Sequence, residues 1–89
     1  MQKGYSETKY KNTFNAKLYK TFVVVVEPAF IDFNSGSWIT PSTAKAMNTG
    51  LTSAGIDYLK VNIKQGQFIV TDLRNGTKHA FTEKLSLAL

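Results

Sequence analysis

The sequence predicts a small α+β domain: a mostly antiparallel sheet, with elements in the order strand, strand, helix, strand, strand, strand, and the helix packed on one face. Three observations predict it. An apolar run covers Phe22–Val26, a capped helical pattern spans residues 40–55, and alternating apolar and polar residues fill most of residues 58–82. Local periods of this kind distinguish strands from helices, and one helix beside several hairpin strands is typical of α+β domains.

Length and composition limit the chain to one domain without covalent reinforcement. It has 89 residues and no cysteine, so disulfides and thiolate metal sites are excluded. The longest apolar run is far shorter than the roughly 20 residues of a membrane-spanning helix, and no signal peptide precedes it. We therefore expect a cytoplasmic protein that does not contact membranes.

Aromatic and β-branched residues predict the first strand, from about residue 17 to residue 27. The unbroken run Phe22–Val26 is typical of a strand that is covered on both faces or lies at the centre of a sheet. A structural interpretation of this region places Phe14, Leu18 and Phe22 in the core, with the nearby lysines keeping the valine strand soluble. Pro28 ends this strand, because proline cannot continue a central ladder. Residues 29–33 are then a second, short strand.

The clearest helix signal lies in residues 40–55. Thr40 is a good N-cap and Pro41 suits the first helical position, while Gly55 can end the helix in a left-handed conformation. Ala44, Met47, Leu51 and Ala54 recur at spacings of three and four, which predicts one narrow buried stripe. Gly50 inside the helix indicates close packing against the sheet.

The last third predicts three hairpin strands. Gln65-Gly66 and Asn75-Gly76 are typical two-residue turns. With those turns, Val61 faces Val70, Val70 faces Phe81 and Asp72 faces His79. The other face of these strands then carries Lys60, Lys64 and Lys78.

The C-terminal residues Leu85, Leu87 and Leu89 share one side of an extended chain. A free edge strand with three leucines would be prone to aggregation. We expect this segment to pair within the sheet, and a homodimer through Leu85–Leu89 is the alternative.

The basic charge is concentrated at the N-terminus. The formal net charge is +5, and the first 22 residues contain five lysines against one glutamate. A localised basic segment favours polyanionic partners. We interpret residues 1–12 as a basic, partly flexible arm and residues 13–89 as the folded domain.

The sequence offers little for catalysis, metals or cofactors. His79 beside Asp72 resembles half of an acid–base pair, but no nucleophile can be placed next to them. The carboxylates lack calcium-loop spacing and the glycines do not form a phosphate loop. We expect no enzyme activity, no metal and no cofactor.

Lysines interleaved with aromatic residues predict a binding protein for single-stranded nucleic acid, because such binding combines phosphate neutralisation with stacking of bases on rings. Tyr10, beside Lys9 and Lys11, is at the centre of this pattern. The predicted nucleic-acid-binding residues are Lys3, Tyr5, Lys9, Tyr10, Lys11, Lys17, Tyr19, Lys20, Lys60, Lys64 and Lys78.

The alternative is a small protein-binding module or inhibitor, of the type found in viruses and mobile elements, that occupies an acidic surface of a larger protein. Its contact residues would be Trp38, Lys45 and Asn48, on and beside the polar helix face. An aromatic residue on a loop is a common interface anchor. For Trp38 itself, we favour a position in the core, as a lid over the helix N-terminus, over this contact role.

Overall fold

The computed structural model describes residues 2–89. This part of the chain contains eight strands and one helix. The elements in chain order are β1 (Tyr5–Tyr10), β2 (Thr13–Leu18), β3 (Thr21–Val26), β4 (Phe30–Asn34), α1 (Pro41–Ser53), β5 (Leu59–Lys64), β6 (Gln67–Asp72), β7 (Thr77–Phe81) and β8 (Lys84–Ala88).

The strands form two antiparallel sheets. The large sheet has the order β1-β2-β3-β4-β8 and the small sheet the order β5-β6-β7. The predicted α+β class is confirmed, with the helix packed on the large sheet and the pairings all antiparallel among the described strands. Four strands rather than two precede the helix, and the sheet is divided in two.

Two tight hairpins at the N-terminus account for the additional strands. Lys11 and Asn12 connect β1 to β2, and Tyr19 and Lys20 connect β2 to β3. Residues 5–10, interpreted from the sequence as part of an arm, are therefore the edge strand of the large sheet. Lys11 and Tyr19 have φ angles of 54° and 55°. Non-glycine residues are uncommon in this left-handed region, so neither turn carried a recognisable sequence signal.

A β-bulge in β3 reverses the expected orientation of Phe22. Ala16 pairs with Val24 and Lys17 pairs with Phe22, so Val23 is the extra residue. Both Val23 and Val24 are buried, because the bulge changes the alternation of side chains. Phe22 points to the outer face and is exposed. The prediction that Phe22 belongs to the core is wrong.

The helix and the small sheet lie side by side and cover the inner face of the large sheet. Gly50 of α1 approaches Ala16 and Val24, while the Phe81 ring of β7 lies 5.9 Å from the Phe33 ring of β4. Buried residues from both sheets and the helix form one hydrophobic cluster. The outer faces of the two sheets consequently point in opposite directions.

The helix begins and ends as its sequence predicts. The Thr40 hydroxyl accepts a hydrogen bond from the Thr43 amide, and Pro41 is the first helical residue. Gly55 follows the helix with φ of +80°. Ala44, Met47 and Leu51 are buried, which confirms the predicted apolar stripe. Among residues 2–89 there is no helix of sufficient length and hydropathy to cross a membrane.

The small sheet has one predicted turn and one longer loop. Gln65-Gly66 is a two-residue turn that pairs Val61 with Val70, as predicted. The second connection contains four residues, 73–76, so Asp72 pairs with Thr77 and Val70 with His79. The predicted pairs of Asp72 with His79 and of Val70 with Phe81 are wrong by two residues. A shift of two keeps every side chain on its predicted face.

The C-terminal segment pairs within the chain. β8 is hydrogen-bonded to β4, with Phe33 opposite Leu85 and Ile31 opposite Leu87. Leu85 and Leu87 pack against the core. The preferred intramolecular pairing is thus found, and a homodimer through Leu85–Leu89 stays a prediction.

Candidate functional site

The outer face of the large sheet is not covered by any other element of residues 2–89. Because side chains alternate along each strand, the observed register assigns one set of residues to this face. We name it the outer sheet face and define it by its aromatic and charged residues: Tyr10, Lys17, Phe22, Glu27, Phe30, Asp32 and Lys84. Glu27 belongs to it because its amide donates to the Phe30 carbonyl, which places the two residues opposite each other at the end of β3 and β4.

Three aromatic rings are exposed on the outer sheet face. Tyr10 is 70%, Phe22 47% and Phe30 50% accessible to solvent. The Lys17 ammonium lies 5.4 Å from the centre of the Phe22 ring. This places a cation beside a ring that a planar group could stack on.

The charges of this face are mixed: Lys17 and Lys84 lie on it with the carboxylates Asp32 and Glu27. Phe22 and Lys84 border a shallow groove of about 400 Å³ that also includes Asp32. Lys11, in the turn at one corner, lies 5.5 Å from the centre of the Tyr10 ring. Lysines therefore lie at two ends of the face, and Asp32 is a carboxylate between them.

A second surface lies at the end of the large sheet, beside the start of the helix. This groove of about 430 Å³ is lined by residues that include Leu18, Tyr19, Lys20, Val23, Trp38 and Thr43, and we name it the Trp38 groove. Tyr19 and Trp38 are 63% and 67% exposed. The prediction that Trp38 is a core lid over the helix N-terminus is therefore wrong.

The chain holds Tyr19 in an unusual conformation. Its φ angle is 55°, and its amide donates a 2.7 Å hydrogen bond to the Gly4 carbonyl. A Cβ atom on Gly4 would lie 2.5 Å from the Tyr19 ring. Since heavy atoms do not approach so closely, the position of this ring depends on glycine at residue 4.

The structure brings together only part of the predicted nucleic-acid-binding set. Tyr10, Lys11 and Lys17 lie on or beside the outer sheet face. Tyr19 and Lys20 line the Trp38 groove. The two surfaces adjoin, because the Lys17–Phe22 pair of β2 and β3 is followed by the Leu18–Thr21 pair and then by this turn.

Tyr5 is a core residue, and its side chain cannot stack on a base. It is buried, and its hydroxyl donates a 2.5 Å hydrogen bond to the Glu7 carboxylate. Burial first, and this carboxylate second, raise the pKa of Tyr5 above its ordinary value. The stacking role predicted for Tyr5 is wrong, because its ring is buried on the inner face of the large sheet, where its hydroxyl lies near Gly50 of α1.

Two other N-terminal lysines lie apart from the outer sheet face. Lys9 is opposite Phe14 and shares the helix-side face of the sheet with it, next to Ser53 at the end of α1. A cation there complements the partial negative charge of a helix C-terminus. Lys3 is exposed in the turn before β1.

The small sheet presents its lysines on the opposite side of the molecule. Lys60 and Lys78 both flank Thr71 in neighbouring strands, and Lys64 lies opposite Gln67 at the other end. All three are exposed. They share one face as predicted, but a ligand on the outer sheet face would not reach them.

The predicted protein-binding residues are separated in the same way. Lys45 is exposed on the helix, whereas the Asn48 side chain is hydrogen-bonded to the backbone of Val61. Lys45 and Asn48 border a wide groove of about 630 Å³ between α1 and β5. Trp38 belongs to the other groove, so the three residues do not form one patch.

The arrangement around Asp72 differs from the predicted acid–base pair. Its carboxylate accepts two hydrogen bonds from the Arg74 guanidinium, of 3.0 Å and 2.8 Å, and Arg74 lies 3.9 Å from the centre of the Tyr58 ring. The hydrogen bonds from Arg74 lower the pKa of Asp72. Among the described residues, no group of three or more His, Cys, Asp or Glu side chains could hold a metal ion.

Three residues of the outer sheet face were missed in the sequence. Phe22 was assigned to the core, and Phe30 and Lys84 were given no binding role. Alternation within β4 could have indicated that Phe30 faces away from the buried Ile31. The position of Lys84 depends on the pairing of β8 with β4, which no local signal specifies.

No protein-family model, curated protein or solved structure matches this chain. The candidate function therefore has to be argued from the two surfaces described above.

Proposed function

We propose that this protein binds single-stranded nucleic acid on the outer sheet face. The observation that carries the proposal is the distribution of aromatic residues. All five exposed aromatic rings among the described residues lie on the outer sheet face or in the adjoining Trp38 groove. Exposed rings grouped with lysines provide the stacking and the phosphate contacts that single strands require.

Stacking would supply most of the affinity on this face. Each base stacked on an aromatic ring contributes about 1–3 kcal/mol, and the face exposes Tyr10, Phe22 and Phe30. Two stacked bases and a few phosphate contacts would be sufficient for micromolar binding, which corresponds to roughly 8 kcal/mol. A duplex hides the faces of its bases, so binding should favour single strands.

Lys17 and Lys84 would contact phosphates on either side of Phe22. The Lys17 ammonium lies 5.4 Å from the centre of that ring, and Lys84 lies across the shallow groove next to it. A base stacked on Phe22 would therefore have a cation within reach of its backbone. This geometry favours a strand that crosses the sheet near Phe22.

The test is fluorescence anisotropy of labelled single-stranded and duplex oligonucleotides at several salt concentrations. The plot of log K against log salt should have a slope of about −0.7 for each phosphate contacted on a single strand. Phe22→Ala should weaken binding about 5- to 150-fold, since it removes one stack. Lys17→Gln should reduce the salt slope.

Two variants serve as matched controls. Leu73 is an exposed apolar residue in the β6–β7 loop, and Lys60 is an exposed lysine on the opposite side of the molecule. Leu73→Ala and Lys60→Gln should leave binding unchanged. If the control and test variants lost affinity equally, association would be driven by net charge and would not be localised to this face. If the protein did not bind single strands at low salt, the proposal would be refuted.

A protein-binding function is the second candidate, and the exposure of Trp38 favours it. Large aromatic residues are frequent hot spots of protein interfaces. In this case Trp38→Ala would abolish binding to a protein partner, while Phe22→Ala and Lys17→Gln would have little effect. Asn48 would not contact the partner through its amide, because both amide atoms are hydrogen-bonded to the Val61 backbone.

A further inference from the structure

We infer that the Trp38 groove is a nucleotide-binding site, in which a base contacts Trp38 and Tyr19 and a phosphate contacts Lys20. This inference rests on the proposed nucleic-acid function and deepens it. It concerns a different surface from the outer sheet face, so the two can fail separately.

The groove has the size and lining of a small-ligand site. Its volume of about 430 Å³ is within the range of roughly 300–1,000 Å³ that is typical of ligand pockets. Leu18 and Val23 form an apolar base, and both are buried. Tyr19 and Trp38 line the groove and remain more than half exposed, so their rings are available to a planar ligand.

The charge of the lining favours an anionic ligand. Lys20 is the charged residue among those that line the groove in the described chain, and no carboxylate accompanies it. Thr21 and Ser42 also line the groove, and their hydroxyls can bind phosphate or sugar oxygens. The hydroxyls of Ser35, Thr40 and Thr43 are hydrogen-bonded within the fold. One cation and two exposed rings are the groups that bind a phosphate and a base.

The backbone around the groove is held in costly conformations. Tyr19, which lines the groove, and Ser37, which precedes Trp38 in the chain, have φ angles of 55° and 69°. The Tyr19 ring packs over Gly4 in a position that any larger residue would prevent. Such conformations are kept where the surrounding structure fixes them, and they are frequent at ligand sites.

The position of the groove connects it to the outer sheet face. Tyr19 and Lys20 are the turn of the hairpin whose strands carry Lys17 and Phe22. A single strand that leaves the outer sheet face at Phe22 would pass over this turn and reach the groove. The bound nucleotide could thus belong to the strand, and a free nucleotide would carry the same chemistry.

The intrinsic fluorescence of Trp38 reports on this groove specifically, because Trp38 is the single tryptophan of the chain. We would titrate the protein with adenosine monophosphate, adenosine and inorganic phosphate, and separately with an unlabelled single-stranded oligonucleotide. The inference predicts saturable quenching by adenosine monophosphate and by the oligonucleotide, weaker binding of adenosine, and no quenching by phosphate alone.

Variants at the groove locate the response. Tyr19→Ala should weaken binding of adenosine monophosphate about 5- to 150-fold, as the loss of one stack does. Lys20→Gln should weaken adenosine monophosphate but leave adenosine unchanged. Leu73→Ala and Lys45→Gln, which change an exposed apolar residue and an exposed lysine outside both surfaces, are the controls and should have no effect.

The possible outcomes separate this inference from the proposed function. Oligonucleotide binding that depends on Phe22 but leaves Trp38 fluorescence unchanged would refute the groove and retain the outer sheet face. If adenosine monophosphate quenched Trp38 but oligonucleotide binding were insensitive to Phe22→Ala, nucleotide binding in the Trp38 groove would be supported. Strand binding on the outer sheet face would then be refuted. Quenching by an acidic peptide but by no nucleotide would refute the inference in favour of a protein partner.

Discussion

Asn48 joins the helix to the small sheet by two hydrogen bonds to Val61. Its side-chain nitrogen donates to the Val61 carbonyl and its side-chain oxygen accepts from the Val61 amide, both at 2.8 Å. β5 is an outer strand of the small sheet, so its free edge exposes backbone groups. The Asn48 amide satisfies two of them in the manner of a neighbouring strand.

Asn48→Ala should destabilise the protein by about 1–3 kcal/mol, because it leaves two partly buried backbone groups without partners. Asn48→Asp keeps the acceptor for the Val61 amide and loses the donor, so its effect should be similar or larger. Urea unfolding measures the change. Thr49→Ala, at the next helical position, is the control, and an unfolding free energy of Asn48→Ala within about 0.5 kcal/mol of wild type would contradict this role.

Gly50 permits the close approach of the helix to the large sheet. A Cβ atom at this position would lie 2.6 Å from the Ala16 Cβ. Alanine would favour the helix by about 1 kcal/mol, but overpacking costs about 1–3 kcal/mol. We therefore expect Gly50→Ala to be destabilising despite its better helix propensity.

A double-mutant cycle with Ala16→Gly isolates this contact. Ala16→Gly removes the atom that a Cβ on residue 50 would meet, so Gly50→Ala should be tolerated much better in that background. The coupling free energy from urea unfolding should be about 1 kcal/mol or more, as for residues in direct contact. If the changes in unfolding free energy of the two substitutions were additive, the helix would be able to move away from β2 without loss of stability, and the close contact would not be important.

The Tyr5 hydroxyl should make the free energy of unfolding decrease as the pH rises in the alkaline range. Its pKa is raised in the folded state by burial and by Glu7, whereas in the unfolded chain it ionises near its ordinary value of about 10. The protonated group therefore stabilises the fold fully below about pH 10. Above that pH the unfolded chain loses the proton first, and the contribution declines.

Comparison with Tyr5→Phe tests this dependence. At neutral pH the hydrogen bond to Glu7 should make the wild type more stable than Tyr5→Phe by about 0.5–1.5 kcal/mol. The difference should not be larger, because the Glu7 carboxylate is exposed and water can replace the lost hydroxyl. This advantage should decrease as the pH rises above about 10, where the other tyrosines affect both proteins equally. A difference in unfolding free energy that is constant with pH would contradict the assignment.

The sequence predicted best those elements that local rules determine. Thr40, Pro41 and Gly55 mark the ends of the helix, and the Gln65-Gly66 turn fixes the β5–β6 register. In each case a residue type matches a specific backbone conformation, such as the positive φ of Gly55 and Gly66. These predictions needed no information about distant parts of the chain.

Most of the candidate site could not be predicted, because it depends on turns and a bulge without local signals. Lys11 and Tyr19 adopt positive φ angles that favour glycine or asparagine. The extra residue Val23 belongs to a run of four identical side chains, so no alternation indicates where the bulge lies. This bulge decides that Phe22 faces solvent.

Asp32 should oppose the proposed binding on the outer sheet face. It lies between Val25 and Ser86 in the register and is the central one of two carboxylates on that face, since Glu27 lies at the edge opposite Phe30. Replacement by asparagine removes one repulsion with phosphate, and an exposed charge interaction is worth roughly 0.2–1 kcal/mol. Asp32→Asn should therefore strengthen binding of single-stranded oligonucleotides by about 1.5- to 5-fold at low salt, and the gain should decrease as salt screens the charge.

The control is Asp57→Asn, which changes the net charge equally at an exposed position before β5. An equal gain from both variants would indicate attraction by net charge, whereas a gain confined to Asp32→Asn would locate the strand on this face.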